Sequence, residues 1–173
     1  MRTSVFVGTS VDGFIARNDG SFDFLPDDCE PHGYEEFFAS VDAVVMGRMT
    51  YEVVAKFPEW PYGNKRVVVL SSRKLDFSGV RGAMVEQMSG KPAEILSKLA
   101  ENGIKHVYVD GGLTVQRFLR DGLIDRMTIT RVPVLVGEGI PLFGVIGRDV
   151  KLKHVATQQY PSGLVKSEYE VMR

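Results

Sequence analysis

The chain has 173 residues, 44% of them hydrophobic and 25% charged, with a formal net charge of −1 and one cysteine. This composition predicts a single globular domain over residues 1–173, and it disfavours a broad nucleic-acid-binding surface, an intramolecular disulfide and a Cys-rich zinc site. No apolar run approaches the ~20 residues that a membrane span needs, so we expect a cytoplasmic protein with no nucleic-acid, membrane or metal partner.

Strands and helices alternate along the chain through about residue 122. Apolar, β-branched runs predict strands, and amphipathic runs bounded by proline or glycine predict helices. The predicted strands are 4–8, 43–46, 67–70, 83–86 and 106–109. The predicted helices are 34–40, 48–56, 92–102 and 113–120. Residues 9–31 form a long irregular connection, and connections of this length are often functional.

Only β patterns follow residue 122. Residues 126–136 form one long β run, and residues 150–160 and 164–172 are typical of hairpin arms joined by the turn Tyr160-Pro161-Ser162-Gly163. The last arm alternates apolar and charged side chains, which suits an antiparallel strand near a sheet edge. We therefore predict an α/β fold whose central, mostly parallel sheet is extended by antiparallel C-terminal strands.

Glycine follows two predicted strands at the point where a helix begins. The first turn is Gly47-Arg48-Met49-Thr50, and the second is Asp110-Gly111-Gly112-Leu113-Thr114. A strand that ends in glycine and opens into a helix directs free backbone N–H groups and the positive end of a helix dipole at one point. The guanidinium of Arg48 and the hydroxyl of Thr50 add donors that suit phosphate oxygens.

A polar and basic cluster, Ser71-Ser72-Arg73-Lys74, follows the buried strand at 67–70. Open α/β sheets bind ligands at the carboxyl ends of their strands. The two glycine turns suit the two ends of a pyrophosphate, and the cluster suits a further phosphate such as the 2′-phosphate of NADP. The chain contains neither G-x-G-x-x-G nor G-x-x-x-x-G-K-[ST], which disfavours the Rossmann fingerprint and the usual nucleoside triphosphatases.

Five segments resemble the dihydrofolate-reductase-like superfamily. They are VFVGTSVDGFIA (5–16), VMGRMTYE (45–52), VVLSSR (68–73), VDGG (109–112) and PVLVGEGIPLF (133–143). Among its branches, the chain is most similar to the reductase domain of the bifunctional deaminase–reductase of riboflavin biosynthesis. The resemblance implies a central sheet of about eight strands with helices on both faces. It also implies a homodimer, and a cleft that binds NADPH on one side and a flat heterocycle on the other.

The resemblance assigns roles to individual residues. It implies cofactor-phosphate contacts at Gly47, Arg48, Thr50, Ser71, Ser72, Arg73, Gly111, Gly112, Leu113 and Thr114. It places beside the nicotinamide Val7, Gly13, Phe14 and Ile15. It places on the substrate side Asp12, which is our candidate catalytic carboxylate, and Gly137, Gly139, Ile140 and Pro141. Asp12-Gly13 is equally compatible with a simple turn.

The chain departs from its relatives at two carboxylates. Dihydrofolate reductases carry one on the helix before the M-G-R turn, and spacing here does not choose among Asp28, Glu30, Glu35 and Glu36. The riboflavin-pathway reductase usually has Glu before its paired glycines, where this chain has Asp110, and its zinc deaminase domain is missing. Three functions stay open: an NADPH-dependent reductase of a small pterin- or pyrimidine-like heterocycle, a dihydrofolate reductase proper, and a non-catalytic NADP(H)-binding protein.

Overall fold

The structure is a computed structural model, which describes residues 1–26, 31–80 and 82–173. In chain order its strands are β1 (Arg2–Ser10), β2 (Phe14–Ala16), β3 (Ala43–Gly47), β4 (Arg66–Leu70), β5 (Val85–Met88), β6 (His106–Asp110), β7 (Arg126–Val132), β8 (Ile140–Pro141), β9 (Leu152–Gln159) and β10 (Val165–Val171). Its helices are α1 (Tyr34–Ser40), α2 (Arg48–Val54), α3 (Pro92–Glu101) and α4 (Gly112–Arg120).

Eight of these strands form one sheet in the order β5-β4-β3-β6-β1-β7-β10-β9. The first six strands in this order run parallel to one another, whereas β10 runs antiparallel to both β7 and β9. The turn between β9 and β10 closes with a hydrogen bond from the Gly163 N–H to the Tyr160 carbonyl (2.9 Å). The mostly parallel sheet with antiparallel C-terminal strands that the sequence predicts is therefore confirmed.

Each face of the sheet packs against two helices, because neighbouring residues of a strand point to opposite faces. Val45 and Val109 lie in the cluster that includes Ile95 of α3 and Phe118 of α4. The intervening residues of the same strands pack on α1 and α2, and they include Val44, Met46 and Tyr108. The two clusters confirm the prediction of helices on both faces. Within the described residues, no helix is long and apolar enough to cross a membrane.

Two predicted strands had the wrong bounds, and the short strands β2 and β8 were not predicted. The β run predicted at 126–136 ends at Val132, because Pro133 has no N–H to continue the ladder. The strand predicted at 83–86 lies at 85–88. The connection predicted to be irregular contains β2, which pairs with β8 in a separate two-stranded sheet. Strands of two or three residues give no periodic signal, so tertiary pairing alone defines them.

The central strands β1 and β6 separate towards their carboxyl ends. Their register joins Arg2–Ser4 to residues 106–108, yet β1 continues to Ser10 and β6 continues to Asp110. Next to this gap, the chain leaves β3 towards β4 on one side and leaves β6 towards β7 on the other side. Such a switch point is where open α/β sheets form their binding crevice. The fold thus places the predicted site residues at the carboxyl ends of β1, β3 and β6 around this switch point.

Candidate cofactor and substrate site

The two glycine turns interlock at the carboxyl ends of β3 and β6. A Cβ atom on Gly47 would lie 2.9 Å from the hydroxyl oxygen of Thr114. A Cβ atom on Gly111, whose φ is +88°, would overlap the hydroxyl oxygen of Thr50. Each threonine therefore occupies the space that a side chain on the opposite turn would need. The structure brings together two turns that lie more than 60 residues apart in the sequence, as their placement predicted.

A cavity of about 350 Å³ opens beside these turns at the ends of β4 and β5. Its lining contains four predicted cofactor residues, Arg48, Ser71, Ser72 and Arg73, together with Leu70, Ser89, Gly90 and Arg117. The side chain of Arg48 also pairs with Glu52 across one helical turn (2.6 Å). Three guanidinium groups and several hydroxyls in one cavity form a donor set that suits phosphate oxygens. This chemistry fits the phosphorylated end of a dinucleotide.

Arg117 was missed by the sequence analysis, although a signal was present. It lies three residues after Thr114 on α4, so it projects from the same side of the helix one turn further along. It is exposed and lines the cavity with Arg48 and Arg73. Lys74, which the sequence grouped with Arg73, is not among the lining residues.

The loop that carries Ser71 and Arg73 is held by Gln87 of β5. The Gln87 amide donates to the carbonyls of Ser71 (2.9 Å) and Arg73 (2.8 Å), and its oxygen accepts from the Leu75 N–H (3.0 Å). The Ser71 hydroxyl oxygen accepts from the Arg73 N–H within the loop (3.0 Å). A loop braced at three backbone positions presents its donors in a fixed geometry. Gln87 is thus a positioning residue that sequence reasoning did not identify.

The predicted nicotinamide and substrate loops meet through the pairing of β2 with β8. In this pair Phe14 lies opposite Pro141, and Ala16 lies opposite Ile140. Both strands reach the second glycine turn, because a Cβ atom on Gly112 would lie 2.9 Å from the Pro141 carbonyl and 3.1 Å from the Ile15 side chain. A Cβ atom on Gly139 would overlap the Ala16 carbonyl. The structure therefore brings these predicted residues to one place.

The remaining predicted cofactor residues differ in exposure. Val7 is partly buried against the core on the α3 and α4 side, as is Ile15. Leu113 is 64% exposed at the first turn of α4, whereas Thr114 is buried. Gly13 has a φ of +88° and open space around it, and its carbonyl accepts from the Leu142 N–H (3.0 Å).

The Asp12 side chain links the loop after β1 to the loop before β8. Its carboxylate accepts from the backbone N–H groups of Gly137 (2.8 Å) and Val136 (3.2 Å). A hydrogen bond with the Ser10 side chain and these two backbone donors hold the pKa of Asp12 below its ordinary value. The carboxylate is therefore ionised at neutral pH, and its position beside Gly137 is fixed by the loop that it holds.

Replacing Asp12 by alanine should loosen this loop. We expect faster amide hydrogen exchange at Val136 and Gly137, because both N–H groups lose their acceptor. Asp19→Ala is the matched control, since the Asp19 carboxylate accepts from the N–H and hydroxyl of Ser21 within its own turn. Unchanged exchange at Gly137 in the Asp12 variant would show that the carboxylate does not hold the loop.

A carboxyl group surrounded by tyrosines ends strand β6. Asp110 accepts from the Gly111 N–H (2.8 Å) through one oxygen and from the Tyr62 hydroxyl (3.2 Å) through the other. Tyr108, two residues earlier on the same face, donates to the Phe6 carbonyl (2.9 Å). Burial raises the pKa of Asp110, and burial together with this carboxylate raises the pKa of Tyr34 to about 12. A perturbed carboxyl group at a cleft is a candidate for catalysis.

Asp110, which stands where the riboflavin-pathway reductase usually has Glu, does more than end a strand before a turn. One of its oxygens caps the turn, but the other faces the tyrosines on the α1 side of the sheet. Alternate residues of a strand share one face, so the sequence of β6 alone indicates that Tyr108 and Asp110 lie on the same face of the sheet. Tyr62 lies 48 residues away and gave no local signal.

A buried hydroxyl without a partner lies on the same sheet face. The Thr130 side chain is 5% exposed, and within the described residues its oxygen has no hydrogen-bond partner. Thr130 lies opposite Gly8 in the register of β1 and β7. The Leu25 side chain covers Gly8, 3.0 Å from where a Cβ atom would be. Because buried polar atoms are nearly always paired, this hydroxyl is a candidate partner for a ligand or an ordered water molecule.

The sequence left four carboxylates open as a pterin partner, and the described residues do not single one out. Glu35 and Glu36 are exposed on α1. Asp28 and Glu30 lie outside the described residues. Within those residues, no group of three or more metal-ligating side chains comes together.

Comparison with known proteins identifies the family and the fold. The model of the RibD C-terminal domain matches residues 4–166. The chain belongs to the RibD C-terminal domain family. YwjB of Bacillus subtilis strain 168, an uncharacterized protein, is 32% identical over 164 residues, which cover 92% of each chain.

Two solved structures resemble this RibD-family chain. A protein from Shewanella sp. PV-4 assigned to riboflavin biosynthesis is 35% identical, with a TM-score of 0.91 over the full length of both chains. Dihydrofolate reductase from Enterococcus faecalis, solved with NADP(H), is 18% identical, with a TM-score of 0.67 over 99% of this chain and 97% of that one. The chain therefore has the dihydrofolate-reductase-like fold that its sequence predicts.

Proposed function

We propose that the protein is an NADPH-dependent reductase that transfers a hydride to a small pterin- or pyrimidine-like heterocycle. Its family and its fold neighbours support a reductase of the riboflavin-pathway type. The observation that carries the proposal is the cavity lined by Arg48, Arg73 and Arg117, which opens beside two interlocked glycine turns. Asp110 ends the strand from which one of those turns begins.

The residues present fit NADPH in three places. The cavity lined by Arg48, Arg73 and Arg117 suits the 2′-phosphate of the adenosine end. The turns at Gly47 and Gly111 begin helices α2 and α4, whose first backbone N–H groups can donate to a pyrophosphate. The paired loops around β2 and β8 then border the nicotinamide end. When bound, NADPH supplies the hydride, and the protein supplies orientation and the exclusion of water.

The reaction also needs a proton. A hydride that adds to the carbon of a C=N or C=O bond must be matched by a proton on the neighbouring heteroatom. Asp110 is our proposed group for holding that proton, because its raised pKa favours the protonated form. Asp12, our predicted catalytic carboxylate, is less suited to hold it, because hydrogen bonds with the Ser10 side chain and with the backbone N–H groups of Gly137 and Val136 keep its pKa below the ordinary value. We propose that Asp12 acts on the substrate side by fixing the loop at Gly137.

Replacing Arg73 by alanine tests the cofactor assignment. We expect NADPH to bind roughly 10- to 100-fold more weakly, because a charge-assisted hydrogen bond contributes about 1.5–3 kcal/mol. NADH binding should stay unchanged, since NADH has no 2′-phosphate. Lys74→Ala removes the same charge next door without altering the cavity lining and is the matched control. Equal losses for NADPH and NADH would mean that Arg73 does not contact the 2′-phosphate.

Turnover assays separate the three functions left open by the sequence. NADPH oxidation with an aminouracil ribosyl phosphate, its unphosphorylated form or a dihydropterin would support the proposal. Oxidation with dihydrofolate alone would favour a dihydrofolate reductase. Tight NADPH binding without oxidation by any heterocycle would favour a non-catalytic NADP(H)-binding protein.

A further inference from the structure

One face of helix α4 packs on residues 140–142, which we call the β8 segment. A Cβ atom on Gly112 would lie 2.9 Å from the Pro141 carbonyl. Gln116 lies four residues further along α4 and therefore on the same face of the helix. Its amide nitrogen donates to the carbonyls of Pro141 and Leu142, both at 3.2 Å. One side chain of α4 thus holds two consecutive carbonyls of the β8 segment.

The Gln116 amide has one orientation. The side chain is 9% exposed, and its two carbonyl partners accept hydrogen bonds but cannot donate them, so its NH2 group must face the β8 segment. A Cβ atom on Gly144 would lie 2.6 Å from the Gln116 side-chain oxygen, so the glycine lets the backbone close over this amide. Because it is buried and bonded in this way, Gln116 fixes the position of the β8 segment relative to α4.

The β8 segment is also joined to the loop after β1. The Leu142 N–H donates to the Gly13 carbonyl (3.0 Å), and Pro141 lies opposite Phe14 in the pairing of β2 with β8. The Leu142 side chain is 2% exposed and lies in the core cluster that contains Val115 of α4. The segment therefore connects α4 to residues that the proposed function places beside the nicotinamide and the substrate.

Helix α4 also carries groups that the proposed function assigns to the cofactor. Its first backbone N–H groups follow the turn at Gly111. Arg117 lines the cavity of about 350 Å³ that Arg73 also lines. Gln116 and Arg117 are adjacent, so their side chains project about 100° apart around one helix of nine residues. Because backbone hydrogen bonds join the successive turns of α4, a ligand that holds its first turn and Arg117 also holds Gln116.

We propose that Gln116 is a positioning residue through which cofactor binding at α4 orders the β8 segment, an inference that rests on the reductase function proposed above. The Gln116 amide contacts the backbone of the segment and acts on the reaction through that backbone. The bound cofactor holds α4, and the held helix completes the substrate side of the site. Loss of the amide should therefore leave cofactor affinity unchanged and impair the use of the heterocycle.

Amide hydrogen exchange of the full chain, with and without saturating NADPH, tests the coupling. The Leu142 N–H reports on the β8 segment, and the Val45 N–H in the middle of the sheet reports on global stability. We expect NADPH to slow exchange at Leu142 at least roughly tenfold in the parent protein, and less than about threefold in Gln116→Met, which keeps the length of the side chain but has no N–H. Slowing at Val45 should be the same in both proteins, because it follows NADPH affinity.

The controls separate a positioning role from a structural one. Gln158→Met, at an exposed position of β9, should behave as the parent protein does. Equal slowing at Leu142 in the parent and in Gln116→Met would overturn the inference. Slowing that falls equally at Leu142 and Val45 would also overturn it, because Gln116 would then support only cofactor binding. If NADPH slows exchange at neither amide of the parent protein, the proposed function itself fails.

A second variant tests whether the hydrogen-bond donors cause the effect. Gln116→Glu has the same shape, but its carboxylate has no N–H to offer the two carbonyls. At about pH 8, this variant should lose the NADPH-dependent protection of Leu142. At about pH 5, burial favours the protonated carboxyl group, which restores one donor, so part of the protection should return. Protection that does not change with pH would assign the effect to packing and overturn the inference.

Steady-state kinetics with a heterocycle that the parent protein reduces measure the functional consequence. We expect Gln116→Met to lower kcat/KM for the heterocycle roughly tenfold, because the β8 segment is no longer held in its binding geometry. The Kd for NADPH should stay within about threefold of the parent value. A weaker Kd for NADPH with an unchanged kcat/KM for the heterocycle would contradict the positioning role.

Discussion

Replacing Gly111 by alanine is expected to destabilise the protein by about 2–5 kcal/mol and to abolish most of its NADPH affinity. The φ of +88° is strained for any residue with a Cβ atom, and that atom would also overlap the Thr50 hydroxyl oxygen. Relief of the overlap would push the two glycine turns apart. Urea unfolding and a titration with NADPH measure the two effects.

Gly103→Ala is the matched control for this prediction. Gly103 has a similar φ of +81°, but no atom lies within 4 Å of the Cβ position. We expect a loss of only about 1–2 kcal/mol there, with NADPH affinity unchanged. Adding Thr50→Ala to the Gly111 variant should restore part of the stability, because the nearest remaining atom is a Cβ at 3.4 Å. Equal losses for Gly111→Ala and Gly103→Ala would show that the turns do not interlock.

Asp110→Asn should lower kcat/KM by roughly 100-fold or more, the usual effect of removing a general acid, while NADPH affinity changes little. The exposed Asp121, which caps the end of α4, provides the control substitution Asp121→Asn, and its kcat/KM should stay near the parent value. A kcat/KM for Asp110→Asn within threefold of the parent would exclude Asp110 as the proton donor.

The difference in stability between Asp110→Asn and the parent protein should depend on pH. Burial raises the folded-state pKa of Asp110, so the folded protein binds this proton more tightly than the unfolded chain does. The ionised carboxylate therefore lowers stability at high pH, and this loss disappears as pH falls below the unfolded-state pKa. We expect Asp110→Asn to be more stable than the parent at about pH 8, with the difference shrinking towards pH 3.

Tyr62→Phe separates catalysis from packing. The Tyr62 hydroxyl donates to Asp110 and lowers its pKa, so its removal should raise that pKa further. If protonated Asp110 is the acid, activity falls as pH rises through its pKa. The alkaline limb of the kcat profile should then move to higher pH in the variant. A reduced rate with an unmoved limb would assign Tyr62 a structural role only.

The fold was readable from the sequence because its signals are local. Buried strands such as 43–47 and 66–70 are short apolar runs, and each is punctuated by glycine or serine at its carboxyl end. Parallel strands bring their carboxyl ends to one edge, so the meeting of Gly47, Gly111 and Arg73 followed from topology alone. The family resemblance then named NADPH as the expected ligand of this site.

What the sequence did not reveal depends on distant contacts. Tyr62 reaches Asp110 from a loop 48 residues away, and Gln87 reaches back to Ser71 across 16 residues. Strands β2 and β8 are too short for any period, and their pairing needs both loops to fold first. The partnerless Thr130 hydroxyl is visible only when its neighbours are placed. These contacts form only in the folded chain, so the spacing of residues in a single sequence does not reveal them.

The bracing of the cofactor loop by Gln87 has a consequence for the edge of the sheet. Strand β5 is the terminal strand on that side, and its four residues are only partly buried. Terminal strands fray, and each fraying event of β5 withdraws the Gln87 amide from the carbonyls of Ser71 and Arg73. A ligand that requires the loop held by Gln87 therefore binds only when β5 is paired in the sheet, and its binding stabilises that paired state by mass action. Under the proposed function, bound NADPH therefore stabilises the β5 edge of the sheet.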